Sequence, residues 1–249
     1  MIKQILLFIS LMASCTITYA QPSKEIIDRQ QIWLGYFNQS RFSNKFGFWF
    51  DGHFRTNDFA GDISLTMGRL GLTYYLADNI RLTAGYAYIF FPSEDGTNNR
   101  HHEHRPWQQI WMSNKYKGFQ TLQWIRFEQR YVQQVVDGEA IQDYNFNYRL
   151  RYNLMVQIPL KGKEIQPKKP FLVIQDEIFI NFGKEITYNY FDQNRFFVGF
   201  GYPFSSHLNV QLGYSNIFQQ RRSGNAFFDT HALRLFVFHN LDLRKKEKS

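Results

Sequence analysis

The 249-residue sequence is poor in cysteine, in apolar runs long enough for a membrane helix, and in helical periodicity. Its one cysteine, Cys15, falls inside the export signal described below. The mature chain is therefore expected to lack disulfides, thiol catalysis and cysteine-bound metals. No 3.6-residue apolar period persists beyond residue 20, which argues against helices. Aromatic residues are abundant instead, at 18% of the chain, and strands are the remaining regular structure.

The first twenty residues have the three parts of a secretory signal. Lys3 supplies a positive start, residues 5–13 are apolar, and residues 18–20 offer a small-x-small cleavage site. A membrane anchor is the weaker alternative, because the apolar stretch is shorter than the roughly 20 residues a spanning helix needs. Residues 11–15 also loosely resemble a lipoprotein signal ending at Cys15. We predict a signal peptide at 1–20, a barrel at 21–243 and a charged tail at 244–249.

The most regular segment is 144–160, where side chains alternate between two faces of a strand. One face carries asparagine, arginine and glutamine, with Met155 as the exception. The other face is apolar: Phe146, Tyr148, Leu150, Tyr152, Leu154, Val156, Ile158 and Leu160. The segment is longer than the usual soluble strand of about 5–6 residues. A membrane-spanning strand needs about 9–11 residues, so the pattern predicts a barrel wall with lipid outside and a polar lumen inside.

Eleven segments resemble strands, and short turns alternate with longer polar loops, at 92–103, 137–142, 183–189 and 221–228. The connection at 161–170 is an exception, because it is long although it falls on the side of the predicted barrel that carries the short turns. The predicted strands are 30–41, 45–56, 62–76, 80–91, 104–115, 119–136, 143–160, 171–182, 190–204, 208–220 and 229–242. Bacterial single-chain barrels usually have an even strand number. We therefore predict an all-β, antiparallel transmembrane β-barrel of about 12 strands, with 10 as the alternative.

Several short strings resemble an uncharacterised family of Gram-negative outer-membrane barrels, the domain of unknown function 2490. They include residues 68–74, 103–109, 126–130 and 149–152, together with Asp176–Glu177, 193–195 and Gly213–Tyr214. The resemblance covers most of the mature chain. It implies a barrel in the outer membrane and brings no established activity, substrate or catalytic residue.

Charged residues recur at period-two positions, and in a barrel they must point inward, since a lipid-facing arginine costs about 2–4 kcal/mol near the midplane. This predicted lumen charge set is Arg69, Glu103, Arg105, Arg126, Glu128, Arg130, Arg149, Arg151, Glu177 and Arg195. It has two interpretations. The arginines can pair with the glutamates to fill a narrow barrel. Alternatively, seven arginines against three glutamates can line a passage that favours anions.

Other functions have weaker support. His101, His102 and His104 flank Glu103 in a predicted loop, but adjacent residues do not easily converge on one metal ion, so we predict no metal site and no cofactor. Histidines at 53, 231 and 239 and serines at 64, 113 and 215 suggest no nucleophile–base pair, and no catalytic motif occurs, so we predict no enzyme. A soluble exported β-sandwich would turn its apolar faces inward.

The sequence thus predicts an outer-membrane barrel for passive passage or binding of a small, acidic solute whose identity is unknown. A structural envelope barrel with a plugged lumen and a lipid-modifying enzyme are the alternatives. Its expected partners are outer-membrane lipid and the barrel-insertion machinery. The formal net charge of +8 suggests nucleic acid in a cytosolic protein. Because the chain carries an export signal, we predict no nucleic-acid partner.

Overall fold

A computed structural model describes residues 24–59, 61–93 and 99–244, which form a closed β-barrel. Eleven strands make up the wall in this described part. They are β1 Glu25–Arg41, β2 Phe46–Asn57, β3 Ile63–Ala77, β4 Ile80–Phe91, β5 His101–Tyr116, β6 Phe119–Val136, β7 Glu139–Pro159, β8 Phe171–Phe182, β9 Phe191–Pro203, β10 Leu208–Gln220 and β11 Ala226–Asp242. Each strand pairs with its sequence neighbours, and β1 pairs with β11 to close the barrel.

The alternation in the sequence sets which side chains face the lumen. In β7, Asn147, Arg149 and Arg151 are buried inside the barrel, whereas Leu150 and Tyr152 on the opposite face are 41% and 42% exposed. Successive side chains of a strand point to opposite faces, so one register orients the whole strand. The polar face points inward and the apolar face outward, which is the reverse of a soluble sandwich.

The closing strand pair corrects the predicted strand number. β1 runs parallel to β11, in register from Glu25 opposite Ala226 to Arg41 opposite Asp242. All other neighbouring pairs are antiparallel. In an up-and-down chain of eleven strands, the first and last point the same way, so only a parallel pair can close the ring. The predictions of 12 and 10 strands were both wrong, because we assumed an even count.

The predicted loop at 137–142 was also wrong, because most of it belongs to β7. β6 and β7 are joined by only two residues, Asp137 and Gly138, whose φ angles are +51° and +82°. Positive φ at both central residues is the geometry of a type I′ hairpin turn, and Asp-Gly is a favoured pair for it. The prediction of a six-residue loop at 137–142 did not take this turn signal into account. β5 likewise begins at His101 rather than 104, and β1 begins at Glu25 rather than 30.

The Asp137–Gly138 turn leads to a stability prediction. Gly138→Ala is expected to lower the free energy of unfolding by about 1 kcal/mol, because a Cβ is disfavoured at left-handed φ. Gly68→Ala is the matched control, since a Cβ there meets nothing within 4 Å and the residue has no left-handed φ. Urea unfolding of the refolded barrel would measure both. Equal effects at the two positions would contradict the turn assignment.

The lumen is not uniformly polar, because three apolar clusters lie on its wall. Trp33 packs with Phe236 near the closing strand pair, and Trp49 packs with Trp107 across β2 to β5. Met155, the exception on the polar face of β7, points inward and packs with Phe171 and neighbours. These clusters supply flat aromatic surfaces on which interior arginines lie.

The predicted signal peptide at 1–20 and its alternative lipoprotein cysteine, Cys15, lie outside the described residues, as does the tail beyond Arg244. Arg244 itself extends from the end of β11, where its guanidinium lies 2.6 Å from Asp242 and 3.2 Å from the side chain of Asn44. No helix among the described residues is long and apolar enough to cross a membrane.

Candidate functional site

The centre of the lumen charge set is Glu128, which is fully buried on β6. Arg149 Nη2 lies 2.7 Å from its Oε2 atom, and Arg151 Nη1 lies 2.7 Å from its Oε1 atom. Both arginines are supplied by β7, which pairs with β6 so that Arg149 stands directly opposite Glu128. The hairpin predicted from sequence thus places a carboxylate between two guanidinium groups.

Further carboxylates extend this network around the wall. Arg151 also reaches Glu177 on β8 at 2.7 Å, and Arg149 reaches Asp192 on β9 at 2.7 Å. On the other side, Arg105 lies 3.7 Å from Glu128 and 2.8 Å from Glu103. Arg130 completes the network through Glu103, again at 2.8 Å. Seven of the ten predicted residues therefore form one connected ion-pair network: Glu103, Arg105, Glu128, Arg130, Arg149, Arg151 and Glu177.

The other three predicted residues point into the lumen but lie outside this network. Arg69 binds both carboxylate oxygens of Asp51 through its Nε atom, at 2.9 Å each. Arg126 donates to Gln109 at 2.8 Å, and Arg195 donates to Gln193 at 2.9 Å.

Sequence reasoning missed four charged residues of the lumen: Asp51, Arg55, Asp192 and Arg234. Asp51 and Arg55 belong to the same face of β2 as Trp49 and His53, so strand alternation was a usable signal for them. Arg234 occupies an inward position of β11 between Ala232 and Phe236. Asp192 contacts Arg149 although β7 and β9 are separated by β8, and no sequence pattern indicates a contact between strands that are not neighbours.

A cavity of about 780 Å³ occupies the lumen beside the ion-pair network. Its lining reaches from Arg29, Asn99 and His101 at the end that carries the longer loops to Asp78 and His207 at the opposite end. We call these ends the loop rim and the turn rim. At the turn rim, Arg41 donates a 2.6 Å hydrogen bond to Asp78, which lowers the pKa of that carboxyl below its ordinary value.

Comparison with known proteins identifies the family. A family described as "Protein of unknown function (DUF2490)" matches residues 30–228. The chain belongs to this family. The matched range includes ten of the strands in full or nearly so and the first residues of β11, and it contains all ten residues of the predicted charge set. No curated protein and no solved structure matched the chain.

Positive charge exceeds negative charge in this family member's lumen. Leaving aside the two rims, where Arg29, Arg41, Arg81, Asp78 and Asp242 lie, the described interior holds nine arginines and five carboxylates, a surplus of four positive charges. The arginines are Arg55, Arg69, Arg105, Arg126, Arg130, Arg149, Arg151, Arg195 and Arg234, and the carboxylates are Asp51, Glu103, Glu128, Glu177 and Asp192.

The lumen also holds arginines that have no ion-pair partner. Within the part of the chain that the structure describes, four of the nine form no ion pair: Arg55, Arg126, Arg195 and Arg234. One guanidinium nitrogen each of Arg55 and Arg126 and two of Arg234 are buried and also have no hydrogen-bond partner there. A buried charge is costly unless it is paired, so these donors favour an anion in the cavity.

The side chains of the histidine-rich segment at 101–104 are divided between the two faces of β5. Strand β5 sends Glu103 into the lumen, where it binds Arg105 and Arg130. His102 and His104 point to the outer face, where His102 hydrogen-bonds Tyr144 at 2.8 Å and His104 contacts Tyr86. The predicted loop is therefore the start of a strand, whose alternation separates His102 and His104 from the carboxylate of Glu103.

One group of possible metal ligands occurs elsewhere among the described residues. Asp28, Asp229 and His231 bring their ligand atoms within 4.8 Å of one another on the outer face of the β1–β11 pair. Asp229 accepts a hydrogen bond from Asn216 at 2.6 Å, and His231 contacts the Tyr214 hydroxyl at 2.5 Å. These partners hold the two side chains without a metal. The other strand histidines, His53 and His239, contact Asp51 and Tyr36.

Proposed function

We propose that this protein is an outer-membrane β-barrel that binds or passes small anions through its lumen. The single observation that carries the proposal is the surplus of four positive charges lining a cavity of about 780 Å³. An arginine-rich passage favours anions, as rings of basic side chains do in anion pores. The proposed role is passive and non-catalytic.

The outer wall supports a membrane environment. Its exposed side chains are mostly apolar, and Leu70 and Leu72 at the middle of β3 are 52% and 57% exposed. Large contiguous apolar surfaces of this kind mark interaction with lipid or protein. Each strand has at least 12 residues, which exceeds the roughly 9–11 that a tilted spanning strand needs. Outer-membrane lipid and the insertion machinery are therefore the proposed partners.

Aromatic pairs near both rims support the same proposal. Tyr116 and Phe119 stack at the turn rim with ring centroids 4.7 Å apart, and Tyr131 and Phe146 lie 4.7 Å apart toward the loop rim. All four are on the outer face and are at least partly exposed. Membrane barrels carry girdles of aromatic residues at the two interfaces with water.

Planar-bilayer recording of the purified protein tests the passage of anions. Across a potassium chloride gradient, the reversal potential is expected to show chloride permeating several-fold better than potassium. Arg126→Gln is expected to reduce this selectivity, because Arg126 is an interior arginine without an ion pair. Lys161→Gln, which removes the same charge from an exposed connection, is the control and is expected to leave the selectivity unchanged.

The ion-pair network favours a second candidate, a structural envelope barrel with a closed lumen. Buried Arg149 and Arg151 cross-link β6, β7, β8 and β9 through three carboxylates. Side chains that only fill and close the lumen would be expected to pair in this way. In the recording above, a properly inserted barrel with no conductance would favour this candidate over passage. Cation selectivity would contradict the anion proposal directly.

A further inference from the structure

Two arginines without an ion pair contact one tryptophan of the lumen, and a third flanks that tryptophan in the sheet. Trp33 lies on β1, and the register of the sheet places Arg55 of β2 opposite it on one side and Arg234 of β11 opposite it on the other. Arg195 of β9 also reaches the same indole. Neighbouring strands are about 4.8 Å apart, so the two register partners flank Trp33 closely. We call Arg55, Arg195 and Arg234 the arginine triad.

Stacking on aromatic rings holds the triad in place. The Cζ atoms of Arg55 and Arg195 lie 3.6 Å and 5.1 Å from the centroid of the Trp33 ring, so they are separated by no more than the sum of these distances. Arg234 lies 3.3 Å from the centroid of the Phe197 ring. An arginine stacked on a ring keeps the N–H groups at its edge available for hydrogen bonds.

Three donor atoms of the triad have no hydrogen-bond partner among the described residues. Arg234 is only 5% exposed, and its Nε and Nη2 atoms have no hydrogen-bond partner, while Nη1 donates to Gln175 at 3.0 Å. Arg55 Nε is also without a partner, and Arg195 donates from Nε to Gln193. All three side chains line the 780 Å³ cavity. A buried donor without an acceptor is costly, so these donor atoms favour an anion in this part of the cavity.

We propose that the arginine triad is a binding site for an oxyanion of two or more negative charges, such as a phosphate group. This inference rests on the proposed function and names its ligand class. Phosphate offers several oxygens to planar guanidinium forks, whereas chloride can accept only as a single point charge. Two positive charges at one indole and a third on the neighbouring strand β11 also match a multivalent anion better than a monovalent one.

The test is a calorimetric titration of the detergent-purified barrel with inorganic phosphate. Saturable binding with one phosphate per chain is expected at neutral pH. Arg234→Gln and Arg55→Gln are each expected to weaken binding about tenfold, the effect of losing a charge-assisted hydrogen-bond pair. Arg81→Gln is the matched control. Arg81 also stacks on an indole, 3.4 Å from the Trp111 centroid, and has no ion pair in the described structure, but it lies near the turn rim.

Folding of the variants is checked by urea unfolding with and without phosphate. A ligand that binds only the folded barrel stabilises it in proportion to its affinity, so phosphate is expected to stabilise the wild type and Arg81→Gln more than Arg234→Gln. Nitrate, a monovalent oxyanion, is expected to stabilise none of them at the same concentration.

The outcomes separate the site from the passage function. Absence of saturable binding, or an Arg81→Gln loss as large as that of Arg234→Gln, overturns the triad site even if the bilayer recordings show anion selectivity. Triad-dependent phosphate binding in a barrel that does not conduct supports the site and overturns passage.

Discussion

Glu128→Gln is expected to lower the free energy of unfolding by about 3 kcal/mol, because it leaves buried guanidinium groups without their shared carboxylate. Glu128 has no exposed surface, and Arg149 and Arg151 both lie 2.7 Å from its oxygens. Glutamine keeps the shape of the side chain but loses its charge and one of its two acceptor oxygens. Urea unfolding of the barrel in lipid vesicles, followed by tryptophan fluorescence, would measure the loss.

The control for this prediction is Glu139→Gln, at the exposed first position of β7, which is expected to change stability by less than about 0.5 kcal/mol. The double variant Glu128→Gln/Arg151→Gln is expected to lose less than the sum of its single changes, since it removes opposite charges that touch each other. Additive losses, or a Glu128→Gln effect no larger than that of the control, would contradict a network that stabilises the barrel.

Leu70→Arg is expected to destabilise the inserted barrel by about 2–4 kcal/mol, because the new charge would face hydrocarbon near the middle of the wall. Leu70 is the central residue of β3, points outward and is 52% exposed. In water, a substitution at such an exposed position has little effect on stability, usually within about 0.5 kcal/mol. The measured cost in lipid vesicles therefore reports directly on the proposed membrane environment.

Leu243→Arg provides the comparison. Leu243 is 57% exposed, close to the value for Leu70, but it follows the end of β11 at the turn rim. A charge at the interface is expected to cost only about 0–1 kcal/mol. If the two substitutions cost the same, the outer wall does not face lipid and the outer-membrane proposal fails.

Strand positions were predictable to within a few residues because side-chain alternation is a local property. β6 and β8 have the predicted bounds, and β4 and β10 do as well. The Asp137–Gly138 turn was also visible in the sequence but was included in a longer loop. The number of strands was wrong for another reason: whether the first strand pairs with the last depends on closure of the whole ring.

The contacts of the charged lumen residues were also predictable only between neighbouring strands. Arg149 opposite Glu128 follows from a hairpin register, and alternation alone indicates that both point inward. Arg149 with Asp192, and Arg55 with Arg195 at Trp33, involve strands that are not neighbours. Only curvature of the closed sheet brings such strands within reach of each other across the lumen.

The sequence by itself determined the all-β class, the inward polar face, the outward apolar face and most strand bounds, since each depends on the period-two geometry of a single strand. The tertiary structure decided the count of eleven strands, the parallel closure and the separation of the arginines into a paired network and an unpaired triad. Those features depend on contacts across the barrel, and the distance across a closed ring is not encoded in any local pattern.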